Sequence, residues 1–419
     1  MVALPSRSGT WRQTRRALVR AGDVASFAPR TAAFAVKSQL RQRRGGNDGP
    51  PHAALSAGLL AQVAVDELIL SFFKGGGRSI TDAMLAATGE EVVEADRLFK
   101  ARGWVDAPES YHQAPPVLDD PTLRRRWLGP TRFEALVAPS LYEPHLREPG
   151  RERWNSWPSN RRLGAVVLRH REPRPWIVCL HGLRMGKFSE VDLRAFRAHY
   201  LFKHLGLNVV LPTMPLHGVR APADRTARMM THNVLDNVHG VAQAVWDVRR
   251  VLSWIRSISD DDIGVCGMSL GGLVGSLVAS LDPDLRCVIA GVPLSDLGAL
   301  VERHIPRAQV KRGRRYHLIG DEARRLYRVI SPLAMTPAVP RERLFIIGGL
   351  GDRMVTPQQA HNLWTHWGQP RAEWYSGSHV FCQGAVNRFI DEALRDTGLS
   401  HGLQLGRPAD VEGVVHLGR

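Results

Sequence analysis

Cysteine is scarce in this chain of 419 residues: Cys179, Cys266, Cys287 and Cys382, with no Cys-x-x-Cys pair. That excludes a disulfide-built scaffold and a cysteine zinc site. The first three sit in apolar runs that read as buried strands, so reduced structural thiols in a cytosolic setting are expected. Lysine is scarce too: six of the 56 basic residues are Lys and the rest Arg, a skew that fits a high-GC genome and carries no function. Charged residues make up 23% and apolar residues 44%, which excludes a wholly disordered, collagen-like or many-spanning membrane chain. No His-Glu-x-x-His occurs, and the 17 histidines lack ligand spacing, so no metal is expected. No Gly-x-Gly-x-x-Gly opens a strand–helix unit, which argues against a nicotinamide or flavin cofactor. Gly182-Leu183-Arg184-Met185-Gly186-Lys187 is one residue short of a phosphate loop, and Phe188 stands where Ser or Thr would hold magnesium. No internal repeat is visible.

Basic charge is present but unevenly spread. Of the net +16, residues 1–50 carry +8 and residues 303–328 carry +7. A uniformly basic nucleic-acid surface is thereby excluded, and two local patches facing something anionic are expected. In residues 11–28, a helical wheel places Trp11, Ala17, Leu18, Ala21, Val24, Ala25 and Ala28 on one arc. Arg12, Arg15, Arg16 and Arg20 face the other way, with Val19 the exception. Two readings stand side by side: a basic amphipathic helix on an anionic membrane surface, or a helix docked on its own protein. Thr14-Arg15-Arg16-Ala17-Leu18-Val19-Arg20 faintly resembles a twin-arginine signal. Asp23 and Arg30 spoil the apolar region that should follow, so export is not expected.

Residues 45–52 read as a linker. Residues 53–73 are apolar enough to suggest a span, but Asp66 and Glu67 sit in the middle, so a buried or partner-facing helix is expected. Residues 79–105 read as a helical hairpin broken at Gly89. The acidic face of Glu90, Glu91, Glu94 and Asp96 argues against a DNA-binding helix-turn-helix. From about residue 130, short apolar runs alternate with helical stretches: 163–168, 176–180, 207–211, 262–266, 286–290 and 344–348 as strands, 241–257 and 272–281 as helices. That pattern predicts an α/β fold with a mostly parallel sheet covered on both faces. The expected organisation is a basic segment over 1–50, a helical region over 51–126, a catalytic domain over 127–398 with an insertion over 298–340, and a loose tail over 399–419.

The decisive stretch is Ile263-Gly264-Val265-Cys266-Gly267-Met268-Ser269-Leu270-Gly271-Gly272. An apolar strand runs into Gly-x-Ser-x-Gly and then an apolar helix. Such a turn strains the Ser and lets neighbouring backbone pass only where glycine stands. The context is that of a nucleophile elbow. Here the chain resembles the α/β-hydrolase superfamily over about residues 130–395. His181-Gly182 resembles the family's loop after its third strand, and Pro215-Leu216-His217-Gly218 follows the next strand. Gly348-Gly349-Leu350-Gly351-Asp352 resembles the acid loop, and Gly377-Ser378-His379 the histidine loop.

The resemblance implies Ser269 as nucleophile, His379 as general base and Asp352 as its orienting acid. It implies an oxyanion hole from the backbone N–H groups of Leu183 and Leu270, with His181, Gly182, Met268 and His217 near the substrate pocket. Asp296, after the sixth family strand, is the alternative acid. Asp352 could instead merely cap the helix near Thr356, and His361 and His366 read as structural.

The insertion carries Arg303, Arg307, Lys311, Arg312, Arg314, Arg315, Arg324, Arg325 and Arg328. It reads either as a lid over an anionic substrate or as a solvated helix face. The function expected is a cofactor-independent serine hydrolase acting on a small-molecule or lipid ester. A thioesterase or acyltransferase using the same triad is one alternative. A non-catalytic membrane- or partner-binding protein on this scaffold is another.

Overall fold

The computed structural model describes residues 27–44, 49–75, 80–128, 131–187, 190–222, 229–380 and 384–400. All but the last two residues of the expected helix over 11–28, half of the linker, Cys382 and nearly all of the tail lie outside them. The chain begins with three helices, α1 (Phe27–Arg44), α2 (Ala57–Gly75) and α3 (Asp82–Ala101). A hairpin follows, β1 (Thr122–Leu128) and β2 (Thr131–Pro139), then α4 (Arg151–Asn155), β3 (Arg162–Leu168) and β4 (Trp176–Leu180). Next come α5 (Glu190–Ala195), α6 (Ala198–Lys203), β5 (Asn208–Pro212), α7 (Val234–Ile258), β6 (Ile263–Met268), α8 (Leu270–Leu281) and β7 (Cys287–Gly291). The insertion holds α9 (Leu297–His304), α10 (Arg307–Arg315) and α11 (Asp321–Arg328). Then β8 (Leu344–Gly349), α12 (Pro357–His366), β9 (Arg371–Tyr375) and α13 (Ala385–Asp396) complete the fold.

The strands form one sheet in the order β1-β2-β3-β5-β4-β6-β7-β8-β9. The junctions β1/β2, β2/β3 and β3/β5 are antiparallel, and every later one is parallel. Strands β4, β5, β7 and β8 are buried at every position. Alternate residues feed two cores. Val178 and Leu180 join the side covered by α7 and α8, while Ile177 and Cys179 face α5, α6 and α13. Each fully buried Leu, Ile or Val contributes about 1.5–3 kcal/mol. Cys179, Cys266 and Cys287 are buried thiols outside any disulfide, as their apolar runs suggested.

The helix over Asp82–Ala101 is continuous, which corrects the expected hairpin. Gly89 is a close-approach site, not a break: a Cβ there would lie 2.4 Å from the Tyr316 carbonyl oxygen of the insertion. The insertion is tied to α3 by ion pairs. Arg325 meets Asp96 at 2.6 and 3.0 Å, and Arg312 meets Asp82 at 2.7 Å. Strand β1 starts at Thr122, ahead of the expected domain start at 127, because Arg124-Arg125-Arg126 hides it from an apolar-run reading. Charges on an edge strand block pairing with other chains. Among the described residues no helix is long and apolar enough to cross a membrane.

Beneath α7 lies a buried polar cluster. Tyr111 donates to Glu148 at 2.8 Å, the His145 N–H donates to its other oxygen at 3.0 Å, and His239 Nδ1 stands 3.6 Å away. Burial pushes the Glu148 carboxyl up to about 7. A raised carboxyl binds its proton in the folded chain at a pH where the unfolded chain has lost it. Its neutral form therefore costs nothing below about pH 4.5, and stability falls as pH rises toward and past 7. Glu148→Gln is expected to flatten this loss, worth roughly 3 kcal/mol between pH 5 and pH 8. Urea midpoints at the two pH values check it.

Candidate active site

Strand β6 delivers Ser269 to a sharp turn at the start of α8. Its backbone sits at φ 57°, ψ −113°, outside the regions open to most L-residues. The strain is held from both sides. The Ser269 N–H donates to the Gly291 carbonyl at 2.8 Å, and its carbonyl accepts from Leu273 and Leu294. A Cβ on Gly267 would lie 2.1 Å from the Gly271 carbonyl oxygen, and one on Gly271 would lie 1.8 Å from that of Leu180. Only glycine fits at either place.

Asp352 follows β8 and is 2% exposed. Its Oδ1 accepts from the N–H groups of Met354 and Val355, both at 2.8 Å, and its Oδ2 lies 2.6 Å from His379 Nδ1. His379 follows β9. Burial disfavours its charged form, but the Asp352 carboxylate, its hydrogen bond and the charge of Asp66 outweigh that, and the pKa is raised. Among the described residues no hydrogen bond joins Ser269 to His379.

Asp296 does other work. It caps α9, accepting from the Ala299 N–H at 2.9 Å. The structure therefore brings Asp352, and not Asp296, to the histidine.

The loop after β4 lies beside Ser269: a Cβ on Gly182 would be 3.5 Å from that of Ser269. Among the described residues, the N–H groups of Leu183 and Leu270 donate to no protein acceptor. His181 is buried and accepts from the Met214 N–H at Nε2, leaving Nδ1 to donate to the Gly182 carbonyl. That bond places His181 in shaping the loop. His217 is buried beside it, its Nδ1 on the Pro215 carbonyl, and burial with His181 nearby pushes its pKa down to about 4. Met268 is half-buried at the end of β6, its sulfur packed where a Cβ on Gly291 would fall. His366 holds the Met335 carbonyl and His361 packs on Trp364 and Trp374.

The family described as "Alpha/beta hydrolase domain containing 18" matches residues 94–295. The chain is 41% identical over 357 residues to an uncharacterized protein of Mycobacterium tuberculosis, covering 84% of this chain and 86% of that one. This chain belongs to the α/β-hydrolase family. A second strain's uncharacterized protein shares the same identity and coverage with this α/β-hydrolase. Among solved structures, the acetyl xylan esterase of Paenibacillus sp. R4 is 16% identical and covers 74% of this chain and 95% of its own, at a TM-score of 0.48. A puromycin-hydrolyzing peptidase of Mycobacterium tuberculosis is 19% identical and covers 67% of this chain and 39% of its own, at a TM-score of 0.41.

The site of this α/β-hydrolase also contains a residue that sequence reading placed elsewhere. Asp66, in the middle of α2, reaches the backbone of the acid and histidine loops. The signal was there in outline: an Asp-Glu pair inside an apolar helix has to be partnered. Nothing local showed with what.

The insertion's arginines are largely committed to protein groups. Arg312 and Arg325 hold α3, Arg324 meets Glu302 at 2.7 Å, and Arg328 Nε donates to the Val105 carbonyl. Among the described residues, Lys311 and Arg314 have no carboxylate partner, and Arg315 lies against the Tyr316 ring.

Proposed function

We propose that the protein hydrolyses a carboxylic ester through an acyl-enzyme intermediate. The observation that carries this reading is the 2.6 Å contact between His379 Nδ1 and a buried Asp352 whose other oxygen is fixed by two N–H bonds. An Asp on Nδ1 leaves Nε2 as the acceptor a base needs. In this reading the Ser269 oxygen attacks the ester carbon and its proton passes to His379 Nε2. The N–H groups of Leu183 and Leu270 hold the oxyanion, supported by the N-terminus of α8. Collapse breaks the acyl–oxygen bond, and His379 returns the proton to the departing alcohol. Water then repeats the sequence, releasing the acid and restoring Ser269.

Lys311, Arg314 and Arg315 are the insertion residues left to favour an anionic substrate, and the peripheral membrane role of residues 11–28 belongs to the same proposal. A fluorescent fluorophosphonate is expected to label the wild-type chain and to fail on Ser269→Ala and His379→Ala. Folded wild-type protein that takes no label, or a Ser269→Ala variant that labels fully, would overturn the reading.

A further inference from the structure

We propose that Asp66, carried by the N-terminal helix α2, is a positioning residue for the base His379. The inference rests on the reading of Ser269, Asp352 and His379 as a working triad.

Asp66 is fully buried, and a single oxygen of it joins two loops. Its Oδ2 accepts the N–H of His379 itself at 2.9 Å and the N–H of Arg353, next to the acid, at 3.1 Å. The same helix adds further ties. Gln62 accepts the Ser378 N–H at 3.2 Å, and Glu67 accepts from Arg353 Nε at 2.8 Å. Leu59 closes on the acid loop, where a Cβ on Gly351 would fall 2.5 Å from its Cδ1. Helix α2 is thus the wall on which the acid and base loops are aligned.

The choice of a carboxylate is informative. A neutral acceptor could bind the same two N–H groups without the cost of burying a charge. Among the described residues Asp66 Oδ1 is buried with no hydrogen-bond partner, so that cost is only partly offset locally. What the charge adds is a field on His379. Among the described residues, the charged groups facing the imidazole are Asp352 and Asp66. Those facing Asp66 are Asp352, His379 and the Arg353 residue, whose side chain turns to Glu67 and the ring of Phe34 in α1. Arg30 of α1 stands 3.6 Å from Glu67. Two carboxylates around one imidazole favour the imidazolium that forms when Ser269 gives up its proton.

The test uses the full chain, the fluorophosphonate probe and the labelling rate from pH 5 to 9, with a thermal melt for each variant. Asp66→Asn keeps an oxygen for both N–H groups and drops the charge. It is expected to melt near the wild type, to move the acid limb of the labelling profile down by about half to one pH unit, and to label severalfold more slowly on the plateau. Asp66→Ala also loses the alignment and is expected to fall about tenfold or more. A folded Asp66→Asn variant with the wild-type limb and plateau overturns the proposal. If that variant does not fold, Gln62→Glu carries the test: a new carboxylate at the Ser378 N–H should raise the acid limb, and an unmoved limb overturns the proposal. Wild-type protein that does not label at Ser269 removes the triad reading on which the proposal rests, and so is a different failure.

Discussion

Asp352→Asn is expected to lower kcat on an activated ester by about 10⁴ while barely moving the melting temperature. The two effects separate because the carboxylate serves two masters. Its Oδ1 holds the Met354 and Val355 N–H groups, and an Asn oxygen can keep both. The amide nitrogen then faces His379 Nδ1, where Oδ2 had accepted a hydrogen bond. A donor there selects the tautomer with its proton on Nε2, the atom that in the proposed mechanism must be empty to take the proton of Ser269. Asp296→Asn is the matched control, since Asp296 only caps α9 and its variant should turn over normally. Steady-state rates of the two variants on p-nitrophenyl acetate decide the point. Equal rates for Asp352→Asn and the wild type would remove Asp352 from the mechanism.

Gly271→Ala should be the most damaging single methyl in the chain. The added Cβ would sit 1.8 Å from the Leu180 carbonyl oxygen, a contact with backbone at the centre of the sheet and not with a movable side-chain tip. Either β4 separates from α8 or the elbow unwinds. The expected cost exceeds about 4 kcal/mol, which takes most of the stability of an ordinary domain. Soluble yield and urea unfolding measure it. A variant with the wild-type midpoint would mean that the turn at Ser269 is more open than described.

The parts of this molecule that could be read from the amino-acid order are those governed by local physics. Buried strands such as Trp176–Leu180 announce themselves as apolar runs, and the elbow does so because its backbone permits only glycine at 267 and 271, two residues either side of Ser269. The histidine loop was legible through its short Gly-flanked context. The family resemblance favours Asp352 over Asp296, and His379 does meet Asp352; local physics alone does not separate the two, because both follow strands and both suit a helix start. Gly89 misled because glycine in a helix reads as a break until the Tyr316 carbonyl against it is seen. Strand β1 was hidden by three consecutive arginines, whose extended form is set by pairing with β2. Asp66 was hidden most deeply, since it acts on backbone N–H groups far along the chain and no spacing rule reaches that distance.

That distance sets a schedule for the ribosome. Asp66 and its partner His379 are 313 residues apart. At roughly 5–20 residues per second, α2 is made on the order of 15–60 s before the loop it supports. During that interval Asp66 lacks both of its loop N–H partners, Glu67 has Arg30 of α1 but not Arg353, and the sheet has no ninth strand to close against. In the proposed mechanism, reactivity at Ser269 therefore cannot mature along with the elbow that bears it. In that reading it switches on late, when the last quarter of the polypeptide returns to the first, and a nascent chain halted before residue 379 carries Ser269 without its proposed base.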